Sequence, residues 1–111
     1  MSRSIAVSDE ARYDIVDISY KIAEDSLDTA DRFASTINEV FEQLSEFPSL
    51  GVSRNYDNPK LTGMRMWPVP HFEKYLVFYT STDSDLQIVR VLHGSRDITD
   101  LFSSPDAKAE Q

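Results

Sequence analysis

The chain of 111 residues is 41% hydrophobic and 11% aromatic, enough for one compact core and too short for a second domain. Its net charge of -8 argues against a surface built mainly to grip nucleic acid, which draws on Lys and Arg at phosphates, though a local basic patch stays open. The lack of cysteine excludes a disulfide framework, a thiolate nucleophile and a Cys-ligated zinc.

No window approaches the roughly 18 to 20 apolar residues of a membrane span, and the N-terminus lacks a basic segment followed by an apolar signal core. A soluble, cytoplasmic protein is expected. The charge is uneven: residues 1–47 hold eleven acids and four bases, whereas residues 48–111 hold eight and seven.

Ile5-Ala6-Val7 reads as a short strand. Ser8 follows as a helix N-cap, with Asp9 and Glu10 at the positive end of the helix dipole. Ala11, Ile15, Ile18 and Ile22 then recur every three or four residues, which sets them on one helical face flanked by Tyr20. Ser26 offers a second cap, and Ala30, Phe33, Ile37, Val40, Leu44 and Phe47 continue the same spacing until Pro48 stops it. So short a break predicts an antiparallel helical hairpin.

Pro48 to Gly63 shows no period and reads as an irregular loop. Three β-prone runs follow, Met64 to Val69, Tyr75 to Thr80 and Leu86 to Leu92, with short links that predict an antiparallel meander. The last run leads directly into His93-Gly94-Ser95-Arg96-Asp97, a polar, cationic turn at a strand's end, where binding and catalytic groups concentrate. Residues 103–111 are small or polar and read as a flexible tail behind a single domain of residues 1–102.

The order strand, two helices, three strands, together with Phe47-Pro48-Ser49-Leu50-Gly51 and Val91-Leu92-His93-Gly94-Ser95-Arg96-Asp97, resembles the RelE/ParE superfamily of bacterial toxin-antitoxin toxins. Gly63-x-Arg65, Tyr75-Leu76-Val77-Phe78-Tyr79 and Ala30-x-x-Phe33 add to the resemblance, which spans roughly residues 5–102. It implies an α+β fold, β-α-α-β-β-β, with the helical hairpin packed on one face of an antiparallel sheet and the N-terminal strand added to the meander.

One branch of the superfamily looks like ribosome-dependent mRNA endonucleases. That chemistry needs a group to take the 2′-hydroxyl proton, cations for the phosphate and an acid for the leaving oxygen. Where that branch places basic residues this chain has Met66, Pro68 and Tyr75, and Phe102 stands where a tyrosine is expected. Phenylalanine exchanges no proton and arginine is a poor general base, so no catalytic set is assigned. The ParE-like branch needs no bond-making chemistry. The resemblance implies a protein that binds DNA gyrase, is neutralised by a cognate antitoxin, uses no cofactor and binds no nucleic acid directly outside that complex. A binding module that has lost its target is the third reading.

The candidate target-binding residues are Arg65, Tyr75, Arg90, His93, Arg96 and Asp97. Arg96 either contacts the target or pairs with Asp97 or a helix acid, and Asp97 reads more as an orienting or capping residue. His93 reads more as a hydrogen-bonded strand end than as a proton carrier. Arg65 and Arg90 either line a cationic strip with Arg96 or turn inward and need acidic partners. Trp67, Tyr75 and Tyr79 read as core aromatics rather than an exposed platform. His71 and His93, 22 positions apart, match no zinc spacing, and no metal is expected.

Overall fold

The computed structural model describes residues 2–103. Strand β1 (Ser4–Val7) leads into helix α1 (Asp9–Asp25) and helix α2 (Leu27–Glu46). After them come β2 (Val52–Ser53), β3 (Arg65–Val69), β4 (Phe72–Ser81), β5 (Asp85–His93) and a short helix α3 (Ile98–Phe102). The five strands form one sheet in the order β1-β5-β4-β3-β2, with the helical hairpin against one face. The expected tail falls mostly outside the described residues.

The helices form where the spacing places them. Ser8 accepts the Ala11 amide at 3.0 Å as N-cap, with Asp9 and Glu10 in the first turn. Ser26 alone makes the joint: its amide donates to the Ile22 carbonyl, closing α1, and its hydroxyl accepts the Thr29 amide, opening α2. Ala11 and Ile18 of α1 join Phe33, Ile37, Val40, Phe41 and Leu44 of α2 in the core beneath the hairpin. Phe47 departs from the predicted stripe. It lies just past the helix end and is 59% exposed, because Pro48 redirects the chain before that side chain can turn inward.

The hairpin covers one face of the sheet as expected, and the other face is covered too. Val77 and Tyr79 of β4 face the hairpin, whereas Phe78 packs on the opposite side with Met64, Leu92 and Phe102 and with the partly buried Tyr56 and Leu61. Double coverage explains why β4 and β5 read as continuous apolar runs. The cover comes from the 48–63 segment and from α3, neither of which has a period long enough to predict. That segment holds two single-turn 3₁₀ helices and the edge strand β2, a fifth strand beyond the four expected.

One pairing differs in direction. β3, β4 and β5 form the antiparallel meander, but β1 lies parallel to β5, with Ser4 opposite Asp85 and Val7 opposite Ile88. β1 ends at that point, and α1 takes over the exposed edge of β5. The Ser8 amide donates to the Ile88 carbonyl at 3.0 Å, the Ser8 hydroxyl to the Val89 carbonyl at 2.8 Å, and the Val91 amide to the Asp14 carboxylate at 3.1 Å.

Candidate functional site

The turn after β5 is built on His93. The Gly94 amide donates to the Lys74 carbonyl at 2.8 Å, which ties the turn to β4, and the Arg96 amide returns to the His93 carbonyl at 3.1 Å. The Ser95 amide lies 3.0 Å from His93 Nδ1, and the Ser95 hydroxyl lies 2.7 Å from the same nitrogen. A backbone N–H can only donate, so Nδ1 accepts and the neutral ring carries its proton on Nε2. His93 therefore offers the turn an acceptor and offers its surroundings a donor. Its ring meets Tyr75 edge-on, with centroids 5.3 Å apart. Asp97 caps α3 by accepting the Asp100 amide at 3.2 Å.

A cleft of about 640 Å³ opens between this turn and α1. Tyr75, His93, Ser95 and Arg96 line one side, and Asp14, Asp17, Tyr20 and Lys21 line the other. Arg96 is exposed, and its guanidinium makes no ion pair among the described residues.

Arg90 does not join a cationic strip. It grips Asp14 with two hydrogen bonds, Nε to Oδ2 at 2.7 Å and Nη2 to Oδ1 at 2.8 Å, with both side chains mostly buried. The Asp14 hydrogen bond, followed by its charge and that of Glu10, pushes the guanidinium above its ordinary value against the opposing effect of burial. Arg65 lies elsewhere. It stands opposite Tyr79 on β3, and its Nη1 donates to the Gly51 carbonyl at 2.7 Å. Arg65 and Arg90 register against Tyr79 and Phe78, consecutive residues of β4, so they belong to opposite faces.

Of the six candidates, the cleft brings together Tyr75, His93 and Arg96. Arg65 and Arg90 are bound into the scaffold, and Asp97 serves as a cap. Sequence reasoning missed the α1 wall. Asp14 carried a readable signal: it lies between Ala11 and Ile18, an acid set into an apolar stripe, and so needs a cationic partner from the sheet.

The cleft presents donors in Arg96, Lys21 and the His93 Nε2–H, while the Ser95 hydroxyl is turned to His93 Nδ1. One of its two carboxylates is already held by Arg90. Phe102 is buried against Phe78 and Tyr56, with ring centroids 5.1 Å away in each case, so it belongs to the core. Among the described residues, no group of three or more His, Asp or Glu side chains could hold a metal ion, and no helix is long and apolar enough to cross a membrane.

Comparison with known proteins agrees with this architecture. A search of curated protein sequences finds no match. A solved structure described as the chromosomal ParDE TA system from P. aeruginosa superposes with a TM-score of 0.64 at 17% identity, covering 83% of this chain and 96% of that one. The family model described as ParE toxin of type II toxin-antitoxin system, parDE, matches residues 5–98. That match runs from β1 through the His93–Asp97 turn to the start of α3, and the chain belongs to the ParE toxin family of type II toxin-antitoxin systems.

Proposed function

We propose that this protein is a toxin that acts by binding DNA gyrase through the His93–Asp97 turn and its cleft, and that a cognate antitoxin neutralises it. The observation that carries this reading is the state of Arg96. The other polar side chains of the turn are engaged, His93 with Ser95 and Asp97 with the start of α3, while the Arg96 guanidinium makes no ion pair among the described residues and lines an open cleft. A cation left free on a rigid turn is suited to meeting a partner. Phe102, standing where the endonuclease branch has a tyrosine, exchanges no proton and packs in the core.

The antitoxin reading draws on the outer side of the hairpin. Tyr13 and Tyr20 are 71% and 72% exposed on α1, and Val16 lies between them at helical spacing. A groove of about 290 Å³ beside them is lined largely by Val16, Tyr20, Ala23, Ala30 and Ala34. An apolar groove with Asp31 at its wall, on a hairpin rich in acids, suits a basic, amphipathic segment that folds as it binds.

The test adds the purified, antitoxin-free protein to gyrase with relaxed plasmid and ATP, and follows both supercoiling and trapped cleaved DNA. Dose-dependent inhibition that falls at least tenfold in Arg96→Ala, with the fold intact, is the expected result. Unaffected gyrase would overturn the target assignment. Cutting of ribosome-bound message in its place would point to the endonuclease branch, and no growth arrest on induction would point to a binding module without a target.

A further inference from the structure

A second cleft, of about 480 Å³, lies between α2 and the turn that joins β3 to β4. Its cationic side is preassembled. The Arg32 Nη2 donates to the Thr29 hydroxyl at 3.1 Å, and that hydroxyl in turn donates to the Ser26 hydroxyl at 3.0 Å, so the guanidinium is tethered by a relay running from the helix cap. Across the cleft stands His71 at a φ of 67°, the one non-glycine residue with a positive φ among the described residues. Pro70 precedes it, and a turn of this kind favours Gly or Asn where His71 stands. The chain accepts a strained backbone that leaves an exposed imidazole at the cleft that Arg32 also lines. Strain kept at a loop tip points to a role outside the fold.

The surrounding charge indicates what the cleft takes. Residues 9–46, which span α1 and α2, hold eleven acids but only three bases, Arg12, Lys21 and Arg32. A partner segment complementary to this surface is basic almost throughout, and Arg32 would repel it at one place. Glu39 lines the same cleft two helical turns further on, about 10 Å along the axis, and restores the acidic rule.

We propose that this cleft is a register pocket, in which Arg32 and His71 receive a single acidic side chain of the antitoxin segment while Glu39 receives the basic residue that follows. A carboxylate there accepts from the guanidinium fork and from an imidazole N–H. A segment displaced along the hairpin sets a base against Arg32, so the pocket discriminates by repulsion as well as attraction. This rests on the antitoxin reading above.

The test measures the affinity of the protein encoded by the adjoining gene for the wild type, Arg32→Gln and His71→Gly, together with each variant's melting temperature. Glycine relieves the strained turn, so His71→Gly is expected to melt about 4 °C higher. Both variants are expected to bind about tenfold more weakly. Tight binding by the wild type with unchanged affinity in both variants overturns the register pocket and leaves the antitoxin reading standing. No binding by the wild type overturns both. A His71→Gly variant that gains stability while losing affinity separates recognition from folding, which a merely structural histidine would not do.

Discussion

The two stretches that carry most of the family likeness, Phe47–Gly51 and Val91–Asp97, resemble each other as sequence: each is short, passes through a turn and contains a glycine. In the fold they behave differently. Gly51 is sealed. A Cβ there would collide with the Tyr79 hydroxyl and sit 2.9 Å from the Met66 carbonyl oxygen. Tyr79, fully buried, donates to the Pro48 carbonyl at 2.7 Å and accepts the Gly51 amide at 2.8 Å, fastening the segment after α2 to the middle of the sheet. At Gly94 the nearest atoms to an added Cβ are 3.5 Å and 3.6 Å away, an ordinary contact, and the turn around it opens on a cleft. One motif is held in place by packing and the other lines a cleft, a division that a shared pattern of residues does not reveal.

Substitutions test that division, beginning with the sealed motif. Gly51→Ala is expected to cost about 3 kcal/mol in urea unfolding, because neither the phenol nor the backbone carbonyl beside it can yield easily. Combined with Tyr79→Phe, which removes the colliding hydroxyl, the loss should be smaller than the sum of the two single effects, and strict additivity would show that the hydroxyl is not the obstacle. Asp14→Ala, on the scaffold side of the cleft, should cost about 2 kcal/mol by stranding Arg90 and the Val91 amide. A loss under about 0.5 kcal/mol would mean that the pair is dispensable.

Tyr79→Phe alone should cost about 1 kcal/mol at neutral pH. It should also change the alkaline limb of the stability curve. Burial pushes the Tyr79 phenol above its ordinary 10.0, against the Gly51 hydrogen bond and the Arg65 charge. A raised phenol favours its protonated form in the fold, so its contribution is complete below pH 10 and fades as pH rises through the folded value. Thermal melts of wild type and variant that lose stability in parallel above pH 10 would show that Tyr79 is not the group responsible. Smallest of all should be Arg96→Ala, within about 0.5 kcal/mol of wild type, since its side chain holds nothing in place. A large loss would transfer Arg96 from the open region to the scaffold.

The helices were legible because apolar residues three and four apart admit one periodic solution, and Ser8 and Ser26 mark where each begins. The 48–63 segment was not, since its shape is set from a distance. The Arg54 amide finds the Met64 carbonyl at 2.8 Å and Tyr79 reaches Pro48, contacts with no local pattern. The direction of β1 was equally hidden, for a four-residue strand has the same composition whether parallel or antiparallel. The turn at His93–Asp97 was visible as a strand end, but the opposite wall of its cleft comes from α1, and nothing short of the fold relates Lys21 to Arg96. Val89 shows the same limit. A register shift between Phe78 and Tyr79 leaves it without a partner on β4, so simple alternation could not place Arg90.

The parallel pairing of β1 with β5 has a temporal consequence. The first strand of the domain is completed by the last, and contacts between distant parts of a chain form late because the intervening loop must close first. Until β5 has emerged from the ribosome, Ser8 and Asp14 have no edge to hold, and the turn that follows β5 has no frame. During synthesis the hairpin can assemble well before the His93–Asp97 surface exists. A growing chain thus presents the α1–α2 groove before it presents the turn after β5.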